Sequence, residues 1–191
     1  MVKAYLAFLV LLGLERLLEL GISRRNAAHA FSRGAIEVGR RHFVAMAILH
    51  SAFLVACGTE AVLVRRPFIP ALGVPMIGLE LLAQGLRYWA VSTLGSRWNV
   101  RVIIVPGEAA IASGPYRHLR HPNYLAVIIE GIAVPLIASA WFTAVAFTVF
   151  NAGLLAVRIR CEERALAEHC EYDARLAGRR RFLPGWRTIA G

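Results

Sequence analysis

"YLAVIIEGIAVPLIASAWFTAVAFTVFNAGLLAVRI", residues 124–159, is a long apolar run interrupted by one charge, Glu130, before Arg158. A helix of ~20 residues crosses a ~30 Å hydrocarbon core, so the run is too long for a single crossing. It suits two helices joined by a tight turn, placed by Pro135 and the small residues Ser139 and Ala140 near its middle. A hairpin returns its second end to the level of its first. Whatever precedes Tyr124 must therefore meet whatever follows Ile159.

Working outward, three more apolar blocks cover residues 2–22, 42–64 and 68–94. The third contains Pro70, Pro75, Glu80 and Arg87, which predicts a kinked or partly interfacial start. With the hairpin this makes about five transmembrane helices. The expected fold is an all-α integral membrane protein, one membrane domain over residues 1–191. Residues 1–95 supply the first helices, and residues 96–191 hold a loop, the hairpin and a C-terminal cap.

Composition agrees. Of 191 residues, 58% are hydrophobic and 18% charged, against about half and a quarter in a soluble domain. The net charge of +10 follows the topology. Arg24, Arg25, Arg33, Arg40 and Arg41 follow the first span; Arg97, Arg101, Arg117 and Arg120 follow the third. Arg158, Arg160, Arg164, Arg175, Arg179, Arg180, Arg181 and Arg187 follow the fifth. Only Lys3, Arg65 and Arg66 fall on the opposite side. The bias predicts an outside N-terminus and a cytoplasmic loop and C-terminus. Anionic headgroups then account for the cations, and nucleic acid is not needed. Three irregularly spaced cysteines, Cys57, Cys161 and Cys170, predict neither a disulfide framework nor a zinc site. Glu15, Arg16 and Glu19 in the first block argue against a cleaved signal peptide.

Reactive side chains gather in residues 96–123 and 158–186, which the hairpin brings to one membrane level. Gly114-Pro115 signals a turn, and His121 before Pro122 disfavours helix until Pro122 opens the next one. Arg158 and Glu162, four apart, share a helix face, and Glu163 points to another partner. The arginines also read as topology anchors, and the glutamates as a solvated helix end. His118 and His121 lack a third metal ligand, so no metal is expected. Glu80 and Arg87 lie seven apart, which predicts pairing inside the bundle. No GxG, GxxxxGK[ST], HExxH or GxSxG motif is present.

"SGPYRHLRHPNYL" at 113–125, then an apolar hairpin, then "RIRCEERAL" with a later tyrosine and "LPG", resembles the isoprenylcysteine carboxyl methyltransferase family. "ERLLELGISRRN" and "TLGSRWNVRVIIVPG" are similar to a bacterial branch that methylates alkylpyrones or alkylresorcinols. Ala126, His169 and Arg175 depart from the family pattern. The resemblance implies S-adenosylmethionine as methyl donor and a lipophilic small-molecule acceptor reaching the site from the membrane lipid. Carried over residue by residue, it places Ile111, Tyr116, His121, Pro122, Asn123, Tyr124 and Glu162 at the cofactor and Arg158 at the acceptor. Glu163, or His118, would serve as base for a weakly acidic hydroxyl; an ionised carboxylate or enol needs none. Competing readings are a phospholipid N-methyltransferase, a reductase resembling the membrane sterol reductases, and a non-enzymatic membrane protein.

Overall fold

The computed structural model describes residues 1–170, 172, 176 and 178–182. Five helices dominate it: α1 (Val2–Phe31), α2 (Arg40–Val64), α3 (Pro70–Leu94), α4 (Pro122–Ile137) and α5 (Trp141–His169). Between them lie two short strands, β1 (Ile36–Val38) and β2 (Val102–Ile104), and 3-10 turns at Gly95–Arg97 and Gly114–Arg117.

The hairpin turns where Ser139 and Ala140 predict. Helix α4 stops at Ile137 and α5 starts at Trp141, with Ser139 taking a left-handed φ of 55°. Gly131 lets the two helices close. A Cβ there would lie 2.4 Å from the Phe147 ring. The N-terminus of α5 has no cap of its own, so Glu60 of α2 supplies one. Its carboxylate accepts from Thr143 N (2.9 Å), Thr143 Oγ1 (2.8 Å) and Phe142 N (3.3 Å), and Arg66 pairs with it at 3.0 Å.

Two expectations change. Helix α1 does not stop near residue 22 but runs to Phe31, because its last turns are held by the loop after α3. The Ser23 hydroxyl donates to Asn99 Oδ1 at 2.7 Å, and Asn26 Nδ2 donates to the Trp98 carbonyl at 2.8 Å. The fold is mostly helical but not wholly so: β1 and β2 pair antiparallel, with Glu37 opposite Ile103. Strands of 3 residues carry too little period-2 pattern to be read from sequence.

Polarity is inverted relative to a water-soluble bundle. Leu63 is 75% exposed, Phe142 72% and Leu18 70%, whereas Glu80, Arg87 and Glu130 are buried. An outer surface of this kind is suited to lipid. Helices α2 and α5 are each long and apolar enough to cross a membrane, and α4 is a shorter apolar helix. Helix α4 packs chiefly on α3, and α5 packs on α2 and α4. Tyr5, Leu9, Leu12, Phe53, Cys57, Val134 and Phe147 form the apolar core near the hairpin turn.

Inside the bundle Arg87 pairs with Glu130, and with Glu19 at 3.8 Å, rather than with Glu80. Spacing on one face brought Glu80 and Arg87 to the same side. The carboxylate of α4 then reached the guanidinium, and both Glu80 oxygens are left without a hydrogen bond.

Candidate active site

At the end of the bundle away from the hairpin turn, the loop, the start of α4 and the end of α5 converge. Tyr124, in the first turn of α4, is the junction. Its hydroxyl donates to the Glu162 carboxylate and accepts from Arg158 Nε at 2.7 Å. The guanidinium carbon of Arg158 lies 5.6 Å from the centre of the Tyr124 ring. The remaining arms of Arg158 are anchored as well: Nη2 donates to the Val100 carbonyl at 2.5 Å, and Nη1 lies 3.7 Å from Met46 Sδ. Its side chain is 6% exposed. A buried guanidinium fixed at three points presents its remaining N–H groups in a set direction.

Glu163, one residue on, faces elsewhere. Its Oε1 is 2.9 Å from His121 Nε2, and Arg181 binds both of its oxygens, at 3.0 and 2.5 Å. Burial alone would raise this carboxyl; the hydrogen bonds from His121 and Arg181 overcome that and hold it down at about 2. The contact directs the Nε2 N–H of His121 at the carboxylate. The ring stacks on Tyr124 at 5.3 Å.

Residues 178–182 lie along the loop as a strap. Arg120 N and His121 N donate to the carbonyls of Arg180 and Arg181 at 3.0 and 3.2 Å, and Arg120 Nε donates to the Arg179 carbonyl at 2.8 Å. Arg120 is therefore built into the fold, whereas the Arg117 side chain stays exposed. Arg120 also stacks over Tyr172 at 5.6 Å, and the Arg117 carbonyl accepts from Arg179 Nε at 3.0 Å.

A cavity of about 760 Å³ opens among these elements. Ile111, Tyr116, His121, Asn123, Tyr124, Glu162 and Arg158 all line it; Pro122 is fully buried behind them, and neither Glu163 nor His118 reaches it. His118 instead contacts Arg117 Nε at 3.3 Å. Gly114 makes the tight turn that delivers Tyr116. Its φ is +53°, and a Cβ would lie 2.3 Å from Thr93 Oγ1. Burial, then the charge of Glu162, pushes the Tyr116 phenol up; burial, then Glu163 and Glu162, does the same for Tyr172. Both stay neutral at physiological pH.

Trp98 was not singled out from the sequence. It is 3% exposed, lines the cavity, and its Nε1 has no partner. Among the described residues Asn123 Oδ1 and the Tyr172 hydroxyl also lack partners, and both line the same cavity. Buried polar atoms are almost always satisfied, so three around one cavity mark a place for a polar ligand. The local signal for Trp98 was a lone aromatic beside Asn99 in an apolar chain. The "LPG" at 183–185 and Arg175 lie outside the described residues.

These features define a helical bundle with an apolar outer surface and a cavity lined by the loop, the hairpin and helices α1 to α3. The sequence model of the isoprenylcysteine carboxyl methyltransferase (ICMT) family matches residues 76–168. The chain is 36% identical over 84% of its length to the "Uncharacterized protein YpbQ" of Bacillus subtilis (strain 168), covering 95% of that protein. It is 32% identical to an "Uncharacterized protein" of Haemophilus influenzae, over 80% of this chain and 88% of that one. The chain belongs to the ICMT family, a family of membrane methyltransferases.

Proposed function

We propose that this protein is an S-adenosylmethionine-dependent O-methyltransferase embedded in the membrane by its five helices, with the loop end of the bundle on the cytoplasmic side. Its acceptor is a lipophilic molecule with an acidic oxygen: a prenylcysteine-type carboxylate, or the hydroxyl of an alkylpyrone or alkylresorcinol. The observation that carries the reading is the cavity wall itself. Glu162 and the unpartnered atoms of Trp98, Asn123 and Tyr172 line one cavity, and Glu162 is one hydroxyl away from the anchored Arg158.

The donor set fits the polar parts of S-adenosylmethionine. Glu162 suits an ammonium or ribose diol; Trp98 Nε1 suits a carboxylate or ring acceptor; Asn123 Oδ1 suits an amino group. Tyr116 and Tyr124 offer π faces to a cation. When bound, S-adenosylmethionine supplies a methyl on a sulfonium, transferred to an acceptor oxyanion as the C–S electron pair returns to sulfur.

Arg158 holds that oxyanion with its free N–H groups. Tyr124, bonded to both Arg158 and Glu162, fixes the acceptor arginine relative to the cofactor carboxylate, so positioning does most of the work. Glu163 acts as a positioning residue: it orients His121 and ties the strap down, and it is no base for the acceptor. The acceptor's tail leaves between α1 and α2, where the cavity is lined by Leu17 and Val55, 64% and 69% exposed.

Calorimetric titration of detergent-solubilised protein with S-adenosylmethionine tests the reading. Saturable binding is expected, weakened at least about tenfold in Glu162→Ala by loss of a charge-assisted hydrogen bond. No binding up to millimolar cofactor would overturn it.

A further inference from the structure

Between the loop and the apolar residues Leu12, Phe53 and Phe147, the cavity passes a belt of charged side chains. Its membrane-level half is walled by Arg16 and Glu19 of α1, His50 of α2, Arg87 of α3 and Glu130 of α4. Arg87 is 5% exposed, and although Glu130 and Glu19 flank it, its Nε has no partner. Arg16 pairs with Glu15 at 3.0 Å, Glu19 at 2.9 Å and Glu130 at 3.6 Å, and its Nε too is unpartnered. His50 Nδ1 lies 2.8 Å from the Met46 carbonyl, which assigns the proton to Nδ1 and leaves Nε2 an acceptor.

Ionised groups at this depth are costly to keep, and a buried ion-pair cluster can often be replaced by apolar residues without loss of stability. The bundle already closes on the apolar cluster of Tyr5, Leu9, Phe53 and Phe147. Charged walls with donors and acceptors left over therefore point to a ligand rather than to packing.

We propose that this membrane-level wall is a second polar subsite for the acceptor. A second hydroxyl of the acceptor's head accepts from Arg87 and donates to His50 Nε2, with Glu130 holding Arg87 in place, while Arg158 holds the oxygen that is methylated. The inference rests on the proposed function and adds acceptor discrimination to it. Its reach follows from helix geometry. His50 lies one turn, ~5.4 Å, below Met46, which Arg158 touches; Glu130 lies six residues, ~9 Å, below Tyr124. A second oxygen at that distance belongs to a ring-type head with well-separated substituents, since the two oxygens of a carboxylate share one carbon. The arginines of the wall are already matched by carboxylates, so the second group is a neutral hydroxyl, which can both accept from Arg87 and donate to His50 Nε2, rather than another anion.

The test compares a 5-alkylresorcinol with the 3-alkylphenol of equal chain length, which differ by one ring hydroxyl. Thermal midpoints of the cofactor-free protein in detergent report binding, and methyl transfer reports kcat/KM. In the unaltered protein the resorcinol stabilises more strongly and is favoured at least about tenfold, as expected when a site built to hydrogen-bond a group meets an analogue lacking it. In His50→Phe, which keeps a ring against Phe147 but loses Nε2, and in Glu130→Gln, the preference falls below about threefold. A merely structural cluster would lower the response to both lipids alike and leave their ratio unmoved. That result, or equal responses in the unaltered protein with cofactor binding intact, overturns the subsite alone. Absence of cofactor binding overturns the proposed function and the subsite with it.

Discussion

Replacing Arg158 by lysine separates acceptor positioning from cofactor binding. A guanidinium has five N–H groups. In Arg158, Nε is committed to Tyr124 at 2.7 Å and one Nη2 proton to the Val100 carbonyl at 2.5 Å; Nη1 faces Met46 Sδ at 3.7 Å. That leaves an N–H on each terminal nitrogen for an acceptor oxygen. Lysine offers three donors on one atom, so satisfying Tyr124 and Val100 leaves at most one. Losing one preorganised donor to a developing or anionic oxygen costs about 2.7–4 kcal/mol, or 10²–10³ in kcat. Because lysine keeps the positive charge, the lower end, about a hundredfold, is expected. Alanine is the poorer probe, since it would strand the Tyr124 and Val100 oxygens in a buried site. The assay is single-turnover transfer from methyl-labelled S-adenosylmethionine into extracted lipid, with cofactor Kd measured by calorimetry on the same preparation. kcat should fall about a hundredfold while Kd stays within about threefold. A Kd that rises as far as kcat falls, or a kcat within threefold of the unaltered protein, refutes the division of labour between Arg158 and Glu162.

Three further outcomes follow from the geometry. Glu60→Ala removes the α2 side chain that caps α5 through Thr143 and Phe142 and should destabilise the protein by about 1–3 kcal/mol in mixed-micelle unfolding, with cofactor affinity unchanged. Gly114→Ala meets both a positive φ and Thr93; it should raise the cofactor Kd by displacing Tyr116, and adding Thr93→Ala should recover only part of the loss, because the backbone strain remains. Glu163 is held at about 2, below its usual 4.5, so its contribution is complete above pH ~4.5 and is lost as pH falls towards 2. Thermal midpoints measured from pH 6 downward should therefore drop more steeply in the unaltered protein than in Glu163→Gln, and parallel curves would refute the link.

The hairpin was legible because its length and its turn residues agree. An apolar run suited to two crossings, with Pro135, Ser139 and Ala140 at its centre, leaves one compact solution. That solution brings Tyr124 to Arg158 and Glu162, so this part of the cavity wall was legible too. What escaped depends on contacts distant in sequence. Nothing local to residues 23–31 shows that α1 continues; Asn99, some seventy positions on, holds it there through Ser23. The partners of Glu163 were not legible from its own helix, because His121 and Arg181, distant in sequence, supply them. Trp98 and the two short strands carried too little pattern to be read.

The charged belt shows why spacing alone misassigns ion pairs in a membrane bundle. Glu80 and Arg87 share a face of α3, yet Arg87 turns to Glu130, and Glu80 remains without a hydrogen bond. In water such a choice costs little. At lipid depth each unpaired group is expensive, so partners are set by which helices the whole fold brings together. Helix α4 lies against α3, and Arg16 of α1 comes within reach of the same carboxylate. The helices that close the cavity are thus the helices that supply its charges. The charged belt is a consequence of the same packing that positions Tyr124 against Arg158, and reading the acceptor ratio in variants of His50 or Glu130 separates that packing from recognition of the ligand.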